Sequence, residues 1–117
     1  WVNFVPARIA GALICAAAAF HPDGTARLAW DSMLRDAPRH RSPNAGWQEA
    51  ALAGALGFAL AGPRRYGETT VDDAWMGDGR RGLTSADLRA AIQLYRIAVG
   101  LLAIAVALLL GLLAVGL

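Results

Sequence analysis

The feature that most constrains this chain is its last segment, where residues 97–117 read IAVGLLAIAVALLLGLLAVGL. None of these 21 side chains is polar. A helix needs about 20 consecutive apolar residues to cross the ~30 Å hydrocarbon core of a bilayer. A chain of 117 residues cannot easily surround so long an apolar cylinder, which argues against the buried core helix of a soluble protein. The sequence therefore predicts a membrane-spanning helix.

Two further apolar runs predict helices. The first covers residues 6–20 and begins at Pro6, which suits the first turn of a helix because it has no backbone N–H. It would rise roughly 22 Å, so it is a short or tilted span or one that dips partway. The second covers residues 45–62, with Glu49 near its start. An ionised Glu inside hydrocarbon costs about 2.5–3.5 kcal/mol, so this run either spans with Glu49 at the interface, packs between helices or is re-entrant.

Arginine placement bears on that choice. Ten arginines fall in two polar segments, residues 21–44 and 63–96, and cytoplasmic loops collect Lys and Arg. If residues 45–62 crossed fully, one of these segments would lie outside the cell. We favour the arrangement in which residues 45–62 do not cross the membrane, because all ten arginines then lie on the cytoplasmic face.

The last polar stretch has a clear helix start. Thr84 and Asp87 form a capping-box-like pair, and an apolar stripe at helical spacing follows, which predicts a helix over residues 85–117. Thr69–Val71 is too short to predict a strand. The predicted fold class is therefore all-α: residues 1–117 form part of one multi-pass helical domain of the inner cell membrane, with polar cytoplasmic loops. The first residue is Trp1, so we expect a longer protein.

Charge and cysteine content exclude several classes of function. Eleven arginines against nine acids give a net charge of +2, but the arginines alternate with Asp, which is typical of a solvated face and predicts no nucleic-acid partner. Cys15 is the single cysteine, so a disulfide framework is excluded. His21 and His40 lie too far apart in sequence to suggest a metal-binding set.

The densest polar cluster is residues 35–49, RDAPRHRSPNAGWQE. Two interpretations stay open. In one, the cluster is a capped helix start, with Ser42 or Asn44 as the N-cap. In the other, it is an anion site, where arginines and helix amides meet a phosphate or carboxylate and His40 moves protons near neutral pH.

Two glycine-containing segments are also ambiguous. Residues 62–68, GPRRYGE, suit a surface turn at a membrane interface as well as they suit a site. Residues 77–82, GDGRRG, match a dinucleotide-binding pattern, but the residues before them make a poor strand, so we expect a glycine-rich turn. A phosphate contact from its amides, or from Arg80 and Arg81, stays open.

Several blocks of sequence form a recognisable set. The principal ones are DAPRHRSPNAGW at 36–47, EAALAGALG at 49–57, GPRRYG at 62–67 and, upstream, NFVPAR at 3–8. Together they resemble the cobalamin-biosynthesis membrane protein family called CobD or CbiB, and MGDG at 76–79 with residues 84–91 resembles the later segment of that family. The resemblance covers essentially the whole chain, but only the C-terminal part of a family member. Gln48 replaces a common Pro, and Ala61 replaces a usual Gly.

The resemblance implies adenosylcobinamide-phosphate synthase activity. Members of the family are taken to join the propionate carboxylate of adenosylcobyric acid to aminopropanol or its phosphate, forming an amide at the expense of ATP, with Mg²⁺. A carboxylate is a poor acyl donor in water, so phosphorylation has to create a leaving group before the amine attacks. The expected partners are the corrinoid, the amine, membrane lipid and other helices of the intact protein, and this segment alone is expected to hold an incomplete site.

The matching blocks supply candidate roles. His40 or Glu49 is the candidate catalytic base for the amine. Asp36, or again Glu49, is the candidate to hold Mg²⁺ through water. The candidate substrate-binding residues, which include the arginines that would clamp phosphate, are Asn3, Arg8, Arg39, Arg41, Ser42, Asn44, Trp47, Arg64, Arg65 and Tyr66.

Two other functions compete with the ligase. One is a non-enzymatic membrane sensor or scaffold of the same architecture. The other is a segment of a transporter, which should place an ionisable residue at the bilayer midplane facing a cavity. Glu49 instead falls near a loop, which favours the ligase and the sensor or scaffold over the transporter.

Overall fold

The computed structural model describes residues 2–116 as four α-helices, one 3-10 turn and four short β-strands. Trp1 and Leu117, the ends of the predicted ranges 1–117 and 85–117, lie outside the described residues. The elements in chain order are α1 (Phe4–Ala18), α2 (Ala26–Asp36), the 3-10 turn (Ala37–Arg39), α3 (Ala45–Leu56), β1 (Leu60–Ala61), β2 (Arg64–Tyr66), β3 (Thr69–Val71), β4 (Trp75–Met76) and α4 (Ser85–Gly116).

The helix α3 packs against both α1 and α2 through small residues. Ala51 and Ala55 of α3 are buried in one apolar cluster with Ala29 and Met33 of α2. A Cβ at Gly54 would collide with the backbone and side chains of α2, so the two helices approach closely only because this residue has none. The Ala- and Gly-rich composition of α3 is therefore what allows it to lie between two other helices.

The helix α3 ends six residues before the predicted end at residue 62. Gly57 adopts a left-handed conformation with φ +73°, and the N–H of Phe58 donates to the carbonyl oxygen of Ala53 at 2.8 Å. This is a Schellman arrangement, which satisfies a free carbonyl at the end of a helix and stops it. The predicted helix over 45–62 is therefore a 12-residue helix followed by extended chain.

The residues after α3 form two small antiparallel pairs. Leu60 pairs with Met76 where β1 meets β4, and Arg65 pairs with Thr70 where β2 meets β3. The expectation that Thr69–Val71 is too short for a strand is wrong. Strands of two or three residues are too short to show the alternation of polar and apolar side chains by which a strand is recognised from sequence.

The helix α2 lies in a segment for which the sequence analysis predicted no helix. Its buried positions are Ala29, Ser32, Met33 and Asp36, which follow the i, i+3, i+4, i+7 spacing of one helical face. Two of the four are polar, so the apolar periodicity that would have marked the helix is absent.

The helix α4 begins as predicted. The N–H of Thr84 donates to Oδ2 of Asp87 at 2.8 Å, and the N–H of Asp87 faces Oγ1 of Thr84 at 3.4 Å, which together make the capping box. Within residues 2–116, α4 is the one helix that is long and apolar enough to cross a membrane. Only 6% of its most apolar window is buried, so it is not enclosed by the other elements.

The predicted all-α, multi-pass fold class is wrong. The described chain contains four β-strands, and it has one candidate membrane span instead of several. The 15-residue α1 rises about 22 Å and the 12-residue α3 about 18 Å, both less than the ~30 Å of a hydrocarbon core. The arrangement in which residues 45–62 do not cross a membrane stays a prediction.

The conformation of Ala61 makes a prediction about stability. Its φ of +61° is left-handed, a region in which a residue with a Cβ costs about 1–2 kcal/mol. We expect Ala61→Gly to raise the free energy of unfolding by about 1 kcal/mol, because glycine adopts this conformation without the steric cost. The matched control is Ala90→Gly within α4, which should lower it by about 1 kcal/mol. Denaturant unfolding of the full-length protein in detergent measures both, and a loss of stability in both variants would contradict the account.

Candidate functional site

A cavity of about 730 Å³ lies where the C-terminal end of α2 faces the chain on both sides of β4. This volume is within the range of about 300–1,000 Å³ found for small-molecule sites. Its lining includes the backbone of Gly77 and Gly79 and the indole of Trp75. The charged side chains of its wall are Arg35, Asp36, Arg39, Asp72, Asp73, Asp78 and Arg81.

Asp36 is the buried charge of this wall, with a side chain that is 2% exposed. Arg35 donates to both of its oxygens, from Nε at 2.8 Å and from Nη2 at 2.7 Å. The N–H of Gly77 donates to Oδ2 at 2.8 Å, and Nη1 of Arg39 lies 3.6 Å from Oδ1. A single carboxylate thus joins the end of α2, the 3-10 turn and the loop after β4.

These partners keep Asp36 ionised. Burial by itself would raise the pKa of the Asp36 carboxyl. The hydrogen bonds from Arg35 and Gly77, with the charges of Arg35 and Arg39, outweigh burial and hold the pKa below its ordinary value. With both oxygens facing guanidinium groups and an amide, Asp36 lacks the environment that a cation such as Mg²⁺ requires. Within residues 2–116, no group of three or more potential metal ligands is present.

The glycine-rich segment 77–82 folds as a turn, as predicted, and it contributes to the cavity. Gly77 has φ +82°, and a Cβ there would collide with the carbonyl oxygen of Phe58 and the side chain of Ala53. The segment pairs with the chain after α3, since Arg80 N–H donates to the carbonyl of Gly57 at 2.9 Å. The strand before it is two residues long and antiparallel to its neighbour, which is not the parallel setting of a dinucleotide site.

The two arginines that follow Gly79 have different surroundings. Arg80 forms a bidentate pair with Asp87, at 2.9 and 2.7 Å, and the pKa of Asp87 lies well below its ordinary value because of that hydrogen bond. Arg81 lines the cavity, and its Cζ lies 4.1 Å from the centroid of the Trp75 ring. Of the pair that the sequence left open for a phosphate contact, only Arg81 has its charge available to the cavity.

Two predicted phosphate-binding arginines converge on one acid at the cavity edge. Arg41 Nη2 lies 2.8 Å from Oδ1 of Asp73, and Arg64 Nη2 lies 3.6 Å from Oδ2. Asp73 therefore compensates both charges and ties the segment after the 3-10 turn to the β2–β3 hairpin. Arg65 and Tyr66 belong to the same hairpin, but Arg65 donates to the carbonyl oxygen of Gly67 at 3.0 Å and Tyr66 is exposed.

His40 and Glu49 are in direct contact, with His40 Nε2 2.8 Å from Oε2 of Glu49. The backbone N–H of Ser42 donates to His40 Nδ1 at 2.9 Å. Because Nδ1 accepts a hydrogen bond, the ring proton of the neutral imidazole lies on Nε2 and is donated to Glu49. Both ring nitrogens are thus engaged, whereas the Glu49 side chain is 42% exposed. Neither residue lines the 730 Å³ cavity.

The predicted residues of the N-terminal block meet the start of α3. Arg8 Cζ lies 3.4 Å from the centroid of the Phe4 ring and 4.5 Å from that of Trp47, and its Nη1 lies 3.4 Å from Oδ1 of Asn44. Cation–π contacts of this kind contribute about 0.5–2 kcal/mol each. Two blocks that are far apart in sequence therefore form one contact surface.

This surface borders a second, smaller cavity of about 480 Å³, whose lining includes Asn3, Ser42 and Asn44. The hydroxyl of Ser42 accepts the N–H of Asn44 at 3.3 Å and that of Ala45 at 3.2 Å. The capping role predicted for Ser42 or Asn44 is thus carried by Ser42, since Asn44 makes no capping hydrogen bond through its side chain. Of the predicted site residues, Asp36 and Arg39 line the larger cavity, and Asn3, Ser42 and Asn44 line the smaller one.

Sequence reasoning did not select several residues of the larger cavity. Arg35 lies in the 35–49 cluster but was not named as a site residue, and Asp73 and Trp75 belong to a segment that was interpreted as a poor strand. The available signal was the density of charge in DDAWMGDGRR at 72–81 around a single Trp. That signal could not be assigned to a site, because only the β1–β4 pairing brings residues 72–81 opposite the end of α2.

Comparison with known proteins decides the family. The model of the family described as CobD/Cbib protein matches residues 1–95. The chain belongs to the CobD/CbiB family. The match includes the N-terminal block, the segment 36–47 and the glycine-rich turn, and it stops before the most apolar part of α4.

Curated relatives within the CobD/CbiB family carry the name cobalamin biosynthesis protein CobD. The Brucella suis protein is 48% identical over 95 residues, which cover 80% of this chain and 29% of the relative. The Rhodobacter capsulatus protein is 43% identical over 81% of the chain, and the Photorhabdus laumondii protein 42% identical over 82%. This chain thus spans about 29% of the length of the curated relatives that it matches. No solved structure matches it significantly.

The buried charge of this CobD/CbiB chain makes a prediction about stability. Asp36→Asn removes the charge that Arg35 and Arg39 face, so we expect it to lower the free energy of unfolding at pH 7 by about 2 kcal/mol. The matched control is Asp31→Asn on the same helix, where the exposed pair with Arg27 spans 3.9 Å and should contribute under ~0.5 kcal/mol.

Acidification tests the same carboxylate. Since the pKa of Asp36 is lower in the folded protein than its ordinary value of 3.8, its contribution is complete above that pH and is lost as the pH falls through the folded value. The stability difference between wild type and Asp36→Asn should therefore shrink at pH values below 3.8. Denaturant unfolding between pH 7 and 3 measures it, and a difference that stays constant, or equals that of Asp31→Asn, would contradict the assignment.

Proposed function

We propose that this chain is part of an enzyme of cobalamin biosynthesis that joins the carboxylate of adenosylcobyric acid to aminopropanol or its phosphate. The observation that supports this most strongly is the match to curated cobalamin biosynthesis proteins across all the sequence blocks that border the two cavities. In the proposed reaction ATP phosphorylates the carboxylate, the amine attacks the carbonyl carbon, and phosphate leaves as the amide forms.

The charge distribution at the larger cavity is suited to this chemistry. Acyl phosphate formation and breakdown place negative charge on phosphate oxygens, and guanidinium groups stabilise such charge by two-pronged hydrogen bonds. We propose Arg39 as the principal phosphate ligand among the predicted residues, because its side chain is 60% exposed and its contact with Asp36 is long. Arg41 and Arg64 act at the edge of the cavity, where Asp73 forms an ion pair with each of them.

Of the two acids that are candidates for Mg²⁺ or for the proton, Asp36 is excluded as a magnesium ligand and Glu49 is assigned to the proton. Asp36 does not suit Mg²⁺, since its oxygens already accept from Arg35 and Gly77. We propose that Glu49 is the catalytic base, because its carboxylate is half-exposed, and that His40 is a positioning residue that orients Glu49 through its Nε2–H.

The same proposal includes a membrane location. The apolar length of α4 is exposed along most of its side chains, which suits contact with lipid or with further helices. The polar segments 21–44 and 63–96, which hold ten arginines, then lie on the cytoplasmic face, where ATP is available.

Growth of a bacterial strain tests the proposed function. A strain that lacks its own gene of this family should grow on cobinamide but not on cobyric acid, and the full-length gene that encodes this chain should restore growth on cobyric acid. Arg39→Gln should reduce that growth strongly, whereas Arg27→Gln, on the exposed face of α2, should not. No growth on cobyric acid from a well-expressed gene would contradict the proposal and favour a sensor, scaffold or transporter.

The proton-acceptor assignment predicts the rates of amide formation. Glu49→Gln keeps the hydrogen bond with His40 but cannot accept a proton, so the ATP-dependent rate should fall by about 10²–10⁴-fold. His40→Asn should retain more activity than His40→Ala, because an Asn oxygen can accept the N–H two residues ahead. The acidic limb of the pH–rate profile should remain in His40→Asn. Near-normal rates in Glu49→Gln would remove it as the base, and loss of that limb in His40→Asn would assign the base to His40.

A further inference from the structure

Two arginines of α4 differ from the other arginines of this chain. Within residues 2–116, the side chains of Arg89 and Arg96 make no hydrogen bond, ion pair or ring contact. Every other arginine contacts an aspartate, an aromatic ring or a carbonyl oxygen, as Arg80 does with Asp87. Two positive charges of α4 are therefore left without a counter-ion in the part of the chain that the structure describes.

These two arginines lie on the side of α4 that points away from the rest of the fold. They are seven residues apart, which is two turns of helix, and Gln93 lies between them on the same side. All three side chains are exposed, whereas Leu94 and Ala98, on the opposite side, are buried against the other helices. We call Arg89, Gln93 and Arg96 the basic stripe.

The basic stripe ends where the apolar run of α4 begins. Residues Ile97–Gly116 rise roughly 30 Å, which matches the ~30 Å of a hydrocarbon core. Arg96 then lies at the edge of the hydrocarbon beside Tyr95, which is 64% exposed and suits a membrane interface. Arg89 lies about 10 Å further out. Since a headgroup layer is roughly 5–8 Å thick, both long side chains can extend into it.

We propose that the basic stripe binds the headgroup of an anionic phospholipid, in the leaflet next to the polar segments. The inference rests on the proposed membrane location and not on the proposed reaction. The two guanidinium groups donate hydrogen bonds to the lipid phosphate and neutralise its charge. A zwitterionic lipid has a phosphate too, but its ammonium group is repelled by the same two arginines. The charge of the stripe therefore favours a headgroup that has no cation of its own.

Other occupants of this side of α4 suit the charges less well. In a two-fold contact with a second copy, the basic stripe would face itself and bring like charges together. An acidic helix would have to place carboxylates at the edge of the hydrocarbon, where ionised groups are costly. Lipid phosphates already lie at that depth, so they can pair with the arginines at little cost.

Native mass spectrometry of the full-length protein in detergent tests the inference, by titration with phosphatidylglycerol and with phosphatidylcholine of the same acyl chains. We expect phosphatidylglycerol to bind at least about tenfold more tightly, since each arginine near an anionic surface raises affinity about fivefold. Equal affinity for the two lipids would overturn the inference. Glycerol 3-phosphate, which has no acyl chains, should not displace the lipid at equal concentration. Displacement would assign the stripe to a soluble phosphate and would also overturn the inference.

Variants locate the lipid on the basic stripe. Arg89→Gln and Arg96→Gln should each weaken phosphatidylglycerol about fivefold and leave phosphatidylcholine nearly unchanged. The matched control is Arg27→Gln, which removes a charge that is 89% exposed on α2 and should leave the preference intact. A preference that survives loss of both α4 arginines, or an equal loss in the control, would contradict the proposal. A dimer that dissociates in the two α4 variants would assign the stripe to a second copy instead.

The membrane location is measured separately. Alkaline carbonate should leave the full-length protein in the membrane fraction of cells that express it. Its release would overturn the membrane location and this inference together. Retention without a lipid preference would overturn the inference alone, and growth on cobyric acid would still test the proposed reaction.

Discussion

The cavity side of this molecule depends on a buried negative charge at the end of α2. A carboxylate taken out of water is costly unless it is paired, and Asp36 has two arginines and a backbone amide as partners. These partners come from three parts of the chain, one of them 41 residues away. Because these groups must contact the carboxylate, Asp36 also determines where Arg35, Arg39 and the Gly77 loop lie. The cavity is the space that these segments leave between them.

Close packing of small residues supplies the frame for that charge. The helix α3 approaches α2 at Gly54, and the loop after β4 approaches the end of α3 at Gly77. Neither contact has room for a Cβ, so the loop amide reaches Asp36 only because the backbones come this close. Packing and electrostatics therefore depend on the same few glycines, and in this region the stability of the fold and the geometry of the site are not separable.

The sequence was informative where a single segment carries the signal. The apolar run of α4 and the capping pair of Thr84 and Asp87 depend on neighbouring residues alone, and both are present. The end of α3 was misplaced because a left-handed Gly57 stops a helix whose composition continues to favour it. The helix α2 was missed because two polar residues, Ser32 and Asp36, occupy half of its buried face. A polar side chain can be buried there because the folded chain supplies hydrogen-bond partners, as Arg35 and Gly77 do for Asp36.

The candidate site was predictable only in part, for a similar reason. The segment 35–49 was selected from its density of arginines, and Arg39 and Asp36 do line the cavity. The opposite wall, with Trp75, Asp78 and Arg81, required knowledge of the β1–β4 pairing. Which arginines are neutralised depends on contacts such as that of Arg41 with Asp73, which join residues 32 positions apart.

The most direct test of the central claim is the chemical accessibility of the arginines to phenylglyoxal, mapped by mass spectrometry of the full-length protein in detergent. The account predicts that Arg39 and Arg81 are modified in the free protein and protected by inorganic phosphate. Arg27, on the outer face of α2, should be modified equally in both samples. Protection of none of these arginines, or equal protection of Arg27, would contradict a cavity organised by Asp36 that binds phosphate.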